Sequence, residues 1–282
     1  MKCINCKTDI SKSQERSCPT CGQDIGYPHI REVSQEEEVE ALELRYQQAK
    51  STAEVNNTTQ ALKSFEDFVK NACATINVDI DFLYNFVTND KVLYSTYGLQ
   101  VKGQVRKPAD KQDDHNRKIA EAILFGSYGE NIRYAALSID GTGVKSYGPF
   151  AIKLRNIAIE NRTVLLENDS FDFIKERRLT IGDSIPAGYR ATWQEKYKLA
   201  VAKHGDEISV DLPKDEFAGI LLFSEGNYDT DRFIEVYIYG AFDNNAIESV
   251  QGKSSLPKKV ESAMLEDAKE YLDNAGQKWI EE

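Results

Sequence analysis

Histidine is scarce in this chain, and its three copies, His29, His115 and His204, are scattered. None has a second histidine or a cysteine at ligand spacing, so a histidine-based metal centre is not encoded. Long apolar runs are absent too. Nothing approaches the roughly 20 residues needed to span a bilayer, and no membrane association is expected. Positive charge is in deficit. Lys and Arg number 35 against 46 Asp and Glu, and the formal net charge of −11 repels nucleic acid and anionic membrane in bulk. The common enzyme fingerprints are missing: Gly-x-Gly-x-x-Gly opening a helix, a Walker loop, Gly-x-Ser-x-Gly and His-Glu-x-x-His. There is no internal repeat, and no signal peptide precedes Cys3, which points to a reducing, cytoplasmic setting.

Cysteine, by contrast, is concentrated. Four of the five fall within the first 21 residues, as Cys3-x2-Cys6 and, eleven residues later, Cys18-x2-Cys21. Paired Cys-x-x-Cys turns hold one zinc ion among four thiolates, which leave no open position, so the expected role is structural. Gly22 lets the backbone fold back beneath the second pair. Residues 1–26 carry only Ile4, Ile10 and Ile25 as large aliphatics, too few for a core, so metal binding has to supply the folding free energy. The segment resembles the small zinc-ribbon domains that begin many bacterial proteins. Its Lys2, Lys7, Lys12 and Arg16 are offset by Asp9, Glu15 and Asp24, which is not a strong phosphate-binding surface. The fifth cysteine, Cys73, sits among Ala72, Ala74 and Ile76 and reads as a small core residue.

The length leaves room for the ribbon and one sizeable domain or two modest ones. The expected fold class is α+β: the zinc ribbon over residues 1–26, a helical segment over 34–89, a mixed body over 90–250 and a closing helix over 255–282. Ser34 and Glu37 have the form of a capping box for a polar helix with the narrow stripe Val39, Leu42, Tyr46 and Ala49. A second helix is expected from about Gln60 to Ala74, and a third over Asp79–Val87. Strands are expected over Tyr134–Ile139, Phe150–Leu154, Arg162–Glu167 and Phe233–Tyr239, and a helix over Thr192–Lys203. Ser255 and Pro257 open the last helix, whose stripe reads Val260, Met264, Ala268, Tyr271 or Leu272, Ala275 and Trp279. The one basic stretch, Lys102–Lys118, contains Lys102, Arg106, Lys107, Lys111, Arg117 and Lys118, but Asp110, Asp113 and Asp114 dilute it into a solvated loop.

Polar residues on apolar strands are the remaining candidates for chemistry. In Phe233-Ile234-Glu235-Val236-Tyr237-Ile238-Tyr239, alternation puts Glu235 with Phe233, Tyr237 and Tyr239 on one face, opposite three aliphatics. Glu235 then either faces solvent or looks into whatever the aromatic face lines. This run, with Ala246-Ile247-Glu248-Ser249-Val250 after it, resembles the last catalytic strand of ADP-ribosyltransferases, closest to the DarT-like toxins. Ser146–Leu154 and Asn161–Ser170 are similar to strands lining the dinucleotide cleft of that family. The resemblance covers about 120 residues, Ile132 to Val250. It departs from the family in lacking an Arg or His on the first strand, unless Arg133 serves, and in lacking a Ser-Thr-Ser triplet on the second.

The resemblance implies an NAD-consuming transferase with a nucleic-acid or protein acceptor, of the kind found in toxin–antitoxin and antiphage defence systems. Glu235 would be catalytic. Arg162, then Arg155, would hold the pyrophosphate, and Tyr147 would stack on nicotinamide. A second reading is a non-catalytic interaction module whose ribbon and polar helix recognise a protein partner. A third is a nucleic-acid-processing protein in which Asp140, Glu167, Asp169 and Asp183 converge on a metal.

Overall fold

The structure is a computed structural model that describes residues 1–11, 13–95 and 111–282, with side chains in the last range from residue 115 onward. Lys12 and most of the basic stretch (Lys102, Arg106, Lys107 and the Lys111 side chain) lie outside the described residues. The fold is mixed α+β, as the sequence implies. Among the described residues eight strands form one sheet: β1 (Cys73–Val78), β2 (Ile132–Ser138), β3 (Phe150–Leu154), β4 (Thr163–Leu166), β5 (Arg190–Thr192), β6 (Glu235–Tyr239), β7 (Ile247–Gly252) and β8 (Lys278–Glu281). Their order is β5-β4-β6-β2-β1-β3-β7-β8, antiparallel throughout except for the parallel β7–β8 pair.

Ten helices surround this sheet among the described residues: α1 (Pro28–Val33), α2 (Glu36–Val55), α3 (Thr59–Lys70), α4 (Ile80–Thr88), α5 (Lys111–Phe125), α6 (Asn156–Ile159), α7 (Ser170–Arg177), α8 (Lys196–His204), α9 (Phe217–Leu221) and α10 (Lys259–Asn274). One sheet face, built from residues such as Ile76, Leu137, Ile152, Val236 and Ile238, packs on α2, α3, α4, α8, α9 and α10 in the main core. Phe65, Leu83 and Phe86 are fully buried there, and each contributes about 1.5–3 kcal/mol by leaving water. The other face carries Ile132, Tyr134, Leu166, Tyr237 and Tyr239 and is covered by α5, α7 and the turn at Tyr128.

The sheet parts in the middle. β1 and β2 pair only at Cys73↔Ser138, Ala74↔Leu137 and Thr75↔Ala136. Beyond that point β1 continues with β3 as far as Val78↔Phe150, while β2 continues with β6 as far as Ile132↔Tyr239. The result is a fork with β1 on one prong and β2 on the other.

Several expectations are revised. The helix expected to reach Ala74 ends at Lys70, and Cys73–Val78 is a central strand. All six of its residues are buried, so the strand shows no alternation, and a short apolar run of that kind cannot be told from a buried helix by periodicity. Cys73 is buried, as its neighbours suggest. Ser34 does not cap α2. It ends α1, its N–H bonded to the Ile30 carbonyl at 2.9 Å, and Gln35 occupies the N-cap with no side-chain hydrogen bond. The polar helix α2 is not free for a partner along its stripe, because Leu42 and Tyr46 pack in the protein's own core beside α8.

Ser255 does not cap the closing helix either, since α10 starts at Lys259 after Lys258. Its buried stripe is Leu265, Ala268 and Leu272, while Val260 and Tyr271 are exposed. Gly276, at φ 68°, stops the helix, with the Gln277 N–H returning to the Leu272 carbonyl at 2.8 Å. Trp279 then lies on β8 and reaches helical spacing only by coincidence. Among the described residues no helix is long and apolar enough to cross a membrane.

The corrected stripe has a measurable consequence. Leu272→Ala is expected to destabilise the protein by about 2–5 kcal/mol, because Leu272 is fully buried. Val260→Ala, at an exposed site on the same helix, is expected to change stability by less than about 0.5 kcal/mol. Chemical denaturation of the two variants checks both.

Candidate functional site

Two constellations stand out, a thiol cage and a buried carboxyl. In the cage, two short turns are each closed by an antiparallel bridge, Lys2↔Asp9 and Ser17↔Asp24. Lys7 and Gly22, each just after the second cysteine of its pair, both take a left-handed backbone at φ 63° and 72°. That conformation folds the chain back so that both sulfurs of a turn point the same way. The four Sγ atoms lie within 4.8 Å of one another, with Cys3–Cys21 at 3.7 Å and Cys6–Cys18 at 3.5 Å. Thiolates around a tetrahedral zinc at about 2.3 Å stand roughly 3.8 Å apart, so the cage has the size and donor set to hold such an ion. The ribbon is joined to the body through Tyr27, which follows it, and through Gln14. Tyr27 packs on the Tyr239 ring at 4.9 Å, and Gln14 accepts a hydrogen bond from the Ser127 N–H at 3.2 Å.

The carboxyl is Glu235, the first residue of β6. Ile234, Val236 and Ile238 point into the main core, so alternation turns Glu235 to the aromatic face. Its neighbour across β2 is Ala136, which is small enough to leave space above the carboxyl. That space is a cavity of ≈ 80 Å³ in the fork, opening outward, several waters in size. Thr75, Ile76 and Asn77 line it from the β1 prong, and Arg133, Tyr134 and Ala135 from the β2 prong. Phe233, Tyr147, Phe171 and Arg117 are also part of the wall.

Glu235 is 6% exposed and is held at one oxygen. Its Oε2 accepts from the Ser170 N–H at 2.9 Å, from the Ser170 hydroxyl, and from the Tyr237 hydroxyl at 3.0 Å. Burial pushes its pKa up to about 8, the nearby Asp169 charge adds to the rise, and the Ser170 and Tyr237 hydrogen bonds oppose it. Asp169 is also raised by burial, although it caps α7 by accepting from the Phe171 N–H at 2.8 Å. Glu235 is therefore mostly a neutral acid near pH 7 in the free protein. A positive charge placed beside it would draw the proton off.

Of the residues singled out from sequence, Glu235 and Tyr147 share this cavity. Gly148 makes the placement of Tyr147 feasible, because a Cβ there would lie 2.3 Å from the Val78 backbone. Arg162 and Arg155 are elsewhere. Arg162 donates to the carbonyls of Ala158, Tyr239 and Ala241 at 3.0, 2.9 and 3.1 Å, and Arg155 donates to the Ile247 carbonyl at 2.9 Å. Glu167 pairs with Arg45 at 2.5 Å. Among the described residues the only metal-binding group is the four cysteines, so Asp140, Glu167, Asp169 and Asp183 form no such group.

Ser170, Tyr134, Asn77 and Arg117 line the cavity without any local pattern that marks them as site residues, and Arg133 joins them. Arg133 is 6% exposed, donates to the carbonyls of Glu130 and Tyr94 at 3.2 and 3.5 Å, and has no carboxylate within ion-pair reach among the described residues. The one available signal was Arg133 itself, a cation inside an otherwise apolar strand.

Two outcomes follow from this geometry. Protein purified without chelator is expected to carry one zinc ion per chain, and Cys18→Ser to lose it. Amide exchange should then rise over residues 1–26 while the sheet stays protected. For Glu235 the folded pKa of about 8 lies above the unfolded value of roughly 4.3. Its contribution to stability is therefore full below that unfolded value and is lost as pH rises to the folded one. Glu235→Gln is expected to melt near wild type at pH 4 and above it at pH 8.5. The gap should grow by about 1.4 kcal/mol per pH unit across that window.

No protein-family model matches the chain, and a search of curated proteins returns no match.

Proposed function

We propose that the fork cavity is an active site that breaks the bond between ribose and nicotinamide in NAD and passes ADP-ribose to a nucleic-acid or protein acceptor. The observation that supports this most is the buried Glu235 carboxyl, fixed by Ser170 and Tyr237 at the point where the sheet parts. The resemblance of the Phe233–Tyr239 run to the catalytic strand of ADP-ribosyltransferases supports the same reading. Arg133 and Arg117 take the phosphate-binding part first expected of Arg162 and Arg155, since both line the cavity and a guanidinium fork matches phosphate oxygens. Tyr147 and Tyr134 offer rings for stacking against a base. In the thiol cage we propose structural zinc, which braces the ribbon against Tyr239.

The chemistry balances with these residues. Nicotinamide is a cation while bound to ribose, so its arrival beside Glu235 favours the carboxylate. The C–N glycosidic bond breaks with its electron pair leaving on nicotinamide, which departs neutral. The ribosyl cation is stabilised by the Glu235 carboxylate. An acceptor hydroxyl or amine then bonds to the ribosyl carbon, and its proton passes to Glu235. A toxin or antiphage role for such a transfer rests on the resemblance.

NAD is expected to raise the melting temperature and to release free nicotinamide, with labelled ADP-ribose appearing on nucleic acid or protein. Glu235→Gln should keep the fold and lower the rate about 100- to 1,000-fold. Arg117→Ala should raise the NAD concentration needed for half-maximal rate by about tenfold or more. Wild-type protein that neither binds nor consumes NAD returns the chain to the interaction-module reading, with the ribbon and not the stripe of α2 as its contact surface.

A further inference from the structure

We infer that Lys203 is a positioning residue for Glu235: its ammonium fixes the loop of residues 167–170, which carries the hydrogen-bond donors to that carboxyl. The inference rests on the proposed function only in taking Glu235 as the working group. Lys203 lies in the last turn of α8, is half-buried, and reaches two main-chain carbonyls. Its Nζ donates to the Glu167 carbonyl at 2.8 Å and to the Phe233 carbonyl at 3.3 Å.

Those two carbonyls mark the place where β4 and β6 stop pairing. Their ladder ends at Leu166↔Glu235. One residue further on, β4 becomes the loop that turns to Ser170; two residues back from Glu235 is Phe233. The ammonium bridges the two chains just past the ladder and replaces the cross-strand hydrogen bond that is no longer there. Only Asn168 and Asp169 lie between Glu167 of this bridge and Ser170, whose N–H bonds Glu235. A short tether of this kind sets where Ser170 can reach.

The same loop is held from the opposite side. The Glu167 carboxylate pairs with Arg45 of α2 at 2.5 Å and with Arg177 of α7 at 3.7 Å, and its N–H donates to the Tyr189 carbonyl at 3.1 Å. Lys203 is the only one of these groups that also touches the chain leading into Glu235. Its surroundings are mixed in sign: Glu167, Glu207 and Glu176 favour its charge, while Arg232 and burial oppose it and lower its pKa to about 8. An ammonium kept there against burial needs its carbonyl partners.

The test reads the titration of Glu235 without ligand, by NMR of the glutamate side-chain carboxyl carbon, assigned with Glu235→Gln. The groups that face Glu235 are Asp169, Tyr134, Tyr147, Tyr237, Ser170 and Arg117. Asp169 and Ser170 are both carried by the tethered loop; Asp169 stays capped on α7 through the Phe171 N–H, and Ser170 alone of the two bonds the carboxylate oxygen directly. Losing a hydrogen bond to the charged form moves a carboxyl midpoint up, so Lys203→Met is expected to raise it by about one pH unit. Lys203→Arg, which keeps charge and donors, should restore it to within a few tenths of a unit. If the methionine variant does not fold, Lys203→Gln serves. Being too short to bridge both carbonyls, it should shift the midpoint the same way by less. Variants that lose melting temperature while the Glu235 midpoint stays put overturn the proposal, and so does a midpoint that Lys203→Arg fails to restore. A chain that ignores NAD leaves this measurement intact, so the two readings fail separately.

Discussion

The loss of pairing between β1 and β2 beyond Thr75↔Ala136 is the constraint on which the rest of the site depends. Were the ladder continuous, Ile76 and Asn77 would sit against Ala135 and Tyr134, and no cavity would exist. The prongs stay apart because each is committed elsewhere, β1 to β3 and β2 to β6, over their full remaining length. The helices of the main core hold both halves from one side. The gap is lined from both faces, by Glu235, Tyr134 and Tyr147 on the aromatic one and by Ile76, Arg133 and Ala135 on the other.

A carboxyl buried at such a place works against stability at neutral pH, as its raised pKa shows. The surrounding structure offsets this with fixed partners. Ser170 opens α7 and Tyr237 lies on β6 itself, two residues on, so one loop and one strand converge on the same oxygen. The loop is in turn tied to α2 through Arg45 and to α8 through Lys203. The N-terminal part of the chain belongs to this brace. Glu38 of α2 pairs with Arg190, which also reaches Glu32, and Glu32 accepts the Tyr128 hydroxyl at 3.0 Å. Arg16 of the ribbon holds Tyr27, and Tyr27 packs on Tyr239, at the far end of the strand that Glu235 begins. The segment that carries the thiol cage thus leads directly into a residue packed against the site strand.

Parts of this arrangement were legible from local pattern. The cysteine spacing contains its own geometry, because two residues between thiolates suffice to close a turn and no distant contact is needed. The alternation of Phe233–Tyr239 identified the face of Glu235, since side-chain direction in a strand has a period of two. Arg162 and Arg155 misled for the opposite reason. Both flank apolar strands, but whether a guanidinium at a strand end meets a ligand or a carbonyl depends on which loop folds over it. For Arg162 that is the turn at Tyr239 and Ala241, 77 and 79 residues away. Ser170 was invisible as a site residue because nothing near it in sequence marks the 65-residue separation across which it meets Glu235.

Local pattern was enough for the thiol cage, the α+β class, the grouping of Glu235 with the aromatic face of its strand and most of the helices with an apolar stripe. Each of these follows from covalent spacing or from a local period of burial. Tertiary structure alone decided that Cys73–Val78 is a central strand, that β1 and β2 part, and that Arg133 and Arg117 reach the cavity while Arg162 does not. The reason is physical. A fully buried strand has no exposed face to give it a period, and the place where two strands separate is set by their other partners, which lie far along the chain.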